Sequence, residues 1–307
     1  MPTKLLEGFG AKLVDQWGAN LLTPAFVFWL GGLLAWGDRQ NWDWSDLTAF
    51  INGLEEPIQI AVLFIVLLVI IASGFVIQRF DLAVLRLFEG YWPPFLTPVR
   101  RWFLRRQHAR FDRLDRRWQT LIHQKYQTAL TPRALEDLAA LEEELRQFPS
   151  DRDRLMPTRL GNLLRAAESR PGEKYGLDAI ICWPRLWLLL PDKVKQELQT
   201  ARADLNTAAR LWLWGVLFIL WVFMGAWWPV LVGGSVAVFS YNWMLQAAEI
   251  YGSLLESAFD LHRMALYAAL HFPLPTHPAE EQVMGKAVTE YLWRGSDRPQ
   301  PEFRYPK

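Results

Sequence analysis

The sequence predicts an all-α integral membrane protein. Four transmembrane helices form two hairpins, a helical cytoplasmic domain is inserted between them, and an antiparallel helical stalk extends the second hairpin. Three observations predict this. Residues 16–37, 57–78 and 211–248 contain no Asp, Glu, Lys or Arg. A hydrocarbon core about 30 Å thick takes roughly 20 residues of helix, so the first two stretches suit one span each and the third suits two. Many of the 17 Trp residues stand where such a stretch meets charged sequence: Trp36, Trp42 and Trp44, then Trp212, Trp214, Trp227, Trp228 and Trp243. Indole prefers the headgroup layer, so these form interfacial belts. Finally, no run of alternating β-branched residues suggests a sheet.

Averages conceal the pattern. The 307 residues are 51% hydrophobic and 21% charged, with a net charge of +1 and a mean hydropathy of +0.03. The placement of the charges, not their sum, excludes a soluble globule. Composition also excludes collagen and disorder, and a single cysteine, Cys182, closes no intrachain bridge.

At the N-terminus, Leu5, Leu6, Phe9, Leu13 and Trp17 recur at helical spacing among Lys4, Glu7, Lys12 and Asp15. This reads as an amphipathic helix lying in the membrane plane, not as a cleavable signal. Residues 38–56 hold one Arg against five acids, whereas residues 79–210 hold 24 Lys and Arg against 17 Asp and Glu. The excess of basic residues places the middle segment in the cytoplasm and the acidic loop outside, so both termini are cytoplasmic. The expected location is a bacterial-type inner (plasma) membrane. The boundaries follow: 1–78 for the amphipathic helix and first hairpin, 79–191 for the basic helical domain, 192–271 for the long-helix hairpin with its stalk, and 272–307 for a C-terminal helix and tail.

Residues 80–99 are too charged to span and too apolar for a free loop, so they are expected along the inner interface. Arg100, Arg101, Arg105, Arg106, Arg110, Arg113, Arg116 and Arg117 follow, interleaved with Leu104, Phe111, Leu114, Trp118, Leu121 and Ile122. That spacing predicts an amphipathic helix. A basic cluster beside a span attracts anionic lipid at about 1 kcal/mol per charge, so lipid binding or simple topology-setting is the expected role; intramolecular pairing and nucleic-acid binding are the alternatives. No nucleic-acid motif accompanies the arginines.

Short helices come next. One starts at Thr131-Pro132, with Leu135, Leu138, Leu145 and Phe148 on one face. Another opens at Pro157-Thr158 and is expected to close at Pro171-Gly172. The apolar run 179–190, broken at Pro184, reads as buried core. From Asp192, an expected N-cap, Val194, Leu198, Ala201, Leu205, Ala208 and Trp212 step by 4, 3, 4, 3, 4 into the third span. Beyond the fourth, Tyr251, Leu254, Ala258, Leu261, Ala265 and Ala268 step by 3, 4, 3, 4, 3. The two seams predict the stalk; packing on the middle domain is the alternative. Pro229 is expected to break the helix between the third and fourth spans. Gly233, Ala237 and Ser240 make a small-residue stripe on the fourth span, and Gly31 with Ala35 repeats the spacing on the first, which permits close helix approach within a chain or between subunits. A last helix covers 279–294 up to Gly295, and residues 296–307 read as disordered.

No catalytic signature emerges. The five His residues do not pair at i, i+4, and no metal, phosphate-loop or nucleophile-elbow motif is present. No metal and no cofactor is expected. Glu249, Ser253, Glu256, Asp260 and Arg263, spaced 4, 3, 4, 3, form the one notable polar stripe: a solvated face with local pairs, a salt-bridge partner for the middle-domain arginines, or a cation site. No charged residue lies mid-span, which disfavours ion-coupled transport. The expected function is a non-enzymatic membrane assembly, scaffold or regulatory protein acting through its cytosolic domain. Its expected partners are membrane lipids, further copies of itself and a cytosolic protein, but not nucleic acid. The alternative is an oligomeric ion channel or membrane-permeabilising effector gated by that domain.

Overall fold

A computed structural model of the chain describes residues 24–39, 45, 49, 52–128, 130–295 and 301–305. The expected N-terminal amphipathic helix, Trp42 and Trp44 lie outside them. Every described element is helical: α1 (Pro24–Arg39), α2 (Glu56–Gln78), α3 (Asp81–Glu89), α4 (Thr97–Gln127), α5 (Pro132–Arg146), α6 (Arg159–Tyr175), α7 (Ala179–Leu189), α8 (Asp192–Ile219), α9 (Trp228–Ala269) and α10 (Pro278–Arg294). Two helical stretches are long and apolar enough to cross a membrane, Glu56–Gln127 through its α2 portion and Asp192–Met224. The described part of α1 is 16 residues long. In α9, Trp228, Tyr241, Asn242 and Trp243 dilute the hydropathy of the apolar half.

The chain divides into two compact units. Unit 1 comprises Met1–Val84 and Asn206–Trp243; unit 2 comprises Leu85–Leu205 and Met244–Lys307.

In unit 1, Ala25, Ile70 and Trp214 are buried together, with Phe26, Phe28, Ile77 and Leu217 packed against them. Trp29 Nε1 donates to Ser73 Oγ at 3.1 Å, tying α1 to α2. Phe28 lies against the rings of Trp214 and Trp221. Ile70 is the one buried residue of α2, so this helix offers almost its whole apolar surface to its surroundings. The break between α8 and α9 is made by Gly225, whose φ of 96° takes the left-handed region that a side chain disfavours. Pro229 sits instead in the first turn of α9, where its missing N–H costs nothing, so the expected break at Pro229 is corrected to Gly225.

Among its described residues, unit 2 holds a smaller and a larger core. Leu114, Leu141, Phe148 and Leu155 join α4 to α5, whose N-cap Thr131 accepts a hydrogen bond from Ala134 N. The larger core gathers Cys182 and Leu186 of α7, Leu198 of α8, Leu255, Phe259 and Tyr267 of α9, and Val288 of α10. This corrects the expected stalk. Leu198, Ala201 and Leu205 are buried as the seam requires, but Leu261 is 77% exposed and Ala265 and Ala268 face outward. The buried face of α9 runs instead through Leu255, Phe259 and Leu266, because α7 and α10 also pack against it.

Two further corrections concern proline. Helix α6 continues through Pro171 to Tyr175 and closes at Gly176, φ 72°; helix α7 continues through Pro184. In α6 the hydrogen bond lost at proline is offset because Lys174 and Tyr175 of its last turn bind carboxylates of α9. The run 179–190 is only half core: Cys182 and Leu186 are buried, while Ile180 is 63% and Leu188 76% exposed. Residues 301–305 of the tail are anchored, against the expected disorder. Arg304 N donates to His271 O at 2.7 Å, and the Phe303 ring packs on Phe272 and Tyr291.

Candidate functional site

The basic helix forms as expected. Its preceding turn, Pro94–Leu96, carries Phe95 at 77% exposure, and Trp102, one turn into α4, is 55% exposed. Val99 is exposed three residues before Trp102, on the same face. The Arg106 guanidinium lies over the Trp102 ring, 5.8 Å from its centroid. Of the eight arginines, Arg110 is ion-paired, to Glu144 of α5. Among the described residues, Arg100, Arg101, Arg105, Arg106, Arg113, Arg116 and Arg117 have no carboxylate within ion-pair distance. Arg106, Arg110 and Arg113 share a groove of about 450 Å³ with Phe103 and Gln107.

The polar stripe of α9 has a different fate. Glu256 sits where α5, α6 and α9 converge and takes three cations: Lys174 Nζ at 2.7 Å on Oε1, and Arg170 Nη1 at 2.6 Å and Arg146 Nη2 at 3.3 Å on Oε2. Burial raises the carboxyl, but the Lys174 hydrogen bond and the Arg170 charge outweigh it and hold the pKa at about 2. Asp260 accepts from Tyr175 Oη at 2.6 Å and lies 3.4 Å from Lys174 Nζ. Arg263 pairs with Glu281 of α10 at 2.6 Å and covers the Tyr175 ring at 4.0 Å. Glu256 and Asp260 therefore follow the second of the expected readings, salt bridges to the middle helices, while Arg263 pairs with α10 instead. Three converging cations would repel a further cation at Glu256. Glu249 and Ser253 stay exposed, on the wall of a small cavity of about 170 Å³ shared with Glu143, Arg146 and Arg170. No group of three His, Cys, Asp or Glu suited to a metal ion occurs among the described residues.

The small residues serve close approach inside the chain. A Cβ on Gly31 would run into the Phe218 ring, and one on Gly233 would lie 2.5 Å from Gly215 O. Ala35 and Ser240 are fully buried, the Ser240 hydroxyl donating to Val236 O at 2.7 Å. Ala237 borders the same crossing, its N 3.0 Å from a Cβ built on Gly215. Cys182 is buried; burial pushes its thiol up to about 11, against a weaker pull from Thr289.

Spacing on single helices missed the partners. Arg146, Arg170, Lys174, Tyr175 and Glu281 lie on other helices, and only tertiary packing brings them to the α9 stripe. Asp81 and Arg210 were missed likewise: Arg210 Nη2 meets Asp81 Oδ2 at 2.5 Å and Nε meets Oδ1 at 3.2 Å. Their position at the ends of charge-free stretches was the available signal.

In class, the chain is an all-α protein that has, among its described residues, two helices long and apolar enough to cross a membrane. It matches no protein-family model, and neither a curated protein nor a solved structure matches it.

Proposed function

We propose that the chain is a four-span protein of a bacterial-type inner membrane, with α1, α2 and the apolar parts of α8 and α9 as spans and both termini in the cytoplasm. Its helical domain is a non-enzymatic assembly or regulatory module, which holds the inner membrane surface with α4 and presents α7 to a cytosolic protein. The observation that carries this reading is the combination on one helix of arginines without carboxylate partners and exposed Trp102 and Val99, directly after exposed Phe95. Aromatic rings enter the headgroup layer while guanidinium groups meet lipid phosphates, each charge contributing about 1 kcal/mol. The outward Ile180 and Leu188 give α7 an apolar face on a unit whose core is already filled from its other side.

The test places a photo-crosslinking residue at Leu188 of the full chain in its membrane. A discrete cross-linked protein that disappears in an Ile180→Asp background supports the proposal. No cross-link, together with unchanged lipid association after the α4 arginines are replaced, overturns it.

A second reading, an oligomeric channel or permeabilising effector, draws on α2, whose uncovered apolar surface suits a second copy as well as lipid. Conductance of the purified protein in a planar bilayer would favour it; a monomer without conductance would remove it.

A further inference from the structure

Unit 1 contains a crevice of about 510 Å³ between α1, α2 and the start of the apolar part of α8. Its walls include Phe26, Leu67, Ile71, Phe75 and Trp214, and the hydrophilic side chains among its lining residues are Gln78 and Arg210. Both stand at sequence boundaries, Gln78 as the last residue of α2 and Arg210 immediately before the charge-free residues 211–248. The crevice is thus apolar along its length and cationic at one end. Lining positions on α2 run from Leu63 to Gln78, about 22 Å at a rise of 1.5 Å per residue. That exceeds one leaflet of hydrocarbon, about 15 Å, so the depth suits a chain entering from one face.

Asp81 orients the cationic end. It engages Nε and Nη2 of Arg210 through two hydrogen bonds, which fixes the guanidinium plane and leaves both Nη1 N–H groups and the second N–H of Nη2 as donors. A guanidinium held in this way binds a phosphate without first losing side-chain freedom.

We propose that this crevice is a phospholipid site, with one acyl chain between α1, α2 and α8 and the headgroup phosphate on Arg210. The inference rests on unit 1 lying in the membrane. Because Asp81 balances the charge of Arg210, the site recognises the phosphate itself and not the net charge of the headgroup, so anionic and zwitterionic phospholipids both fit. A neutral diacylglycerol, which lacks the phosphate, fills only the apolar part.

The test uses the full chain, purified and stripped of lipid in detergent, then exposed to mixed micelles of phosphatidylglycerol, phosphatidylethanolamine or diacylglycerol. Lipid retained after dilution is read by native mass spectrometry. The expected result is one phospholipid per chain and at least tenfold less diacylglycerol. The charge-balanced pair Asp81→Asn with Arg210→Gln reduces phospholipid retention to the diacylglycerol level. Gly74→Leu fills the crevice and abolishes retention, since a Cβ there has only Ala25 near it, at 4.0 Å, and a longer side chain has space to enter. Phe64→Ala, on an exposed position of α2 that does not line the crevice, leaves retention unchanged. Leu67→Trp replaces Gly74→Leu should the latter lower the melting temperature. Equal retention of diacylglycerol, or retention unaffected by both the charge pair and the filling variant, overturns the inference. Carbonate extraction of the unmodified chain separates the two levels: a chain in the membrane pellet that retains no lipid defeats the crevice alone, whereas a chain in the supernatant defeats the membrane reading.

Discussion

Lys174 Nζ lies 2.7 Å from Glu256 Oε1, although 82 positions separate the two residues in sequence. With Arg170 and Arg146 on its second oxygen, this carboxylate ties α5 and α6 to α9. Glu256→Gln leaves the cations facing a neutral amide, and its expected cost is about 2–3 kcal/mol, below the full value for a buried pair because Lys174 and Arg146 remain partly in water. Asp260→Asn costs less, since Asp260 is more exposed. Thermal unfolding of both variants in detergent checks the order; equal melting temperatures would contradict it.

The depressed pKa of Glu256 predicts a pH dependence. Its folded value of about 2 lies below its ordinary 4.5, so the carboxylate contributes stability that is complete above pH 4.5 and is lost as pH falls toward 2. Unfolding of unit 2 followed across this window in the unmodified chain should steepen relative to Glu256→Gln. Parallel curves would remove Glu256 as the source.

Glycines divide into those that touch backbone and those that do not. A Cβ on Gly285 would collide with the Tyr175 carbonyl, and one on Gly233 would crowd Gly215 O, whereas Gly234 has nothing within 4 Å. Gly285→Ala and Gly233→Ala are each expected to lose roughly 1–3 kcal/mol by overpacking, while Gly234→Ala is neutral or gains up to about 1 kcal/mol from helix propensity. Melting temperatures of the three variants test the contrast.

Replacing Arg101, Arg105, Arg113 and Arg116 by Gln should weaken attraction to anionic lipid by about 1 kcal/mol for each charge without unfolding α4, whose core contact Leu114 is untouched. Enrichment of phosphatidylglycerol over phosphatidylcholine around the reconstituted protein, measured at low and high salt, gives the readout. Unchanged enrichment at low salt would show that these arginines do not meet lipid.

Local patterns carried much of the fold. Thr131-Pro132 caps α5, Arg100 to Arg117 lie within α4, and Gly295 follows α10, because each depends on neighbours within a turn. What escaped the sequence depended on tertiary partners. The α9 seam turns away at Leu261 because α7 and α10, not α8 alone, cover that helix. Pro171 and Pro184 signal a stop locally, yet contacts by Lys174 and Tyr175 on one side and Cys182 and Leu186 on the other hold those helices through the proline. The α9 stripe was visible by spacing; its cations, on α5 and α6, were not.

Labelling of single cysteines by a membrane-impermeant maleimide tests the four-span topology most directly, and the buried native Cys182 leaves the background low. Suitable exposed positions are Asp38 in the last turn of α1, Trp227 before α9, Tyr126 in α4 and Trp293 in α10. With both hairpins in the membrane, Asp38→Cys and Trp227→Cys react from the outer face of intact cells, whereas Tyr126→Cys and Trp293→Cys react only after permeabilisation. Reaction of Tyr126→Cys in intact cells, or protection of Asp38→Cys or Trp227→Cys alongside it, would contradict the topology on which the cytoplasmic domain and its partners depend.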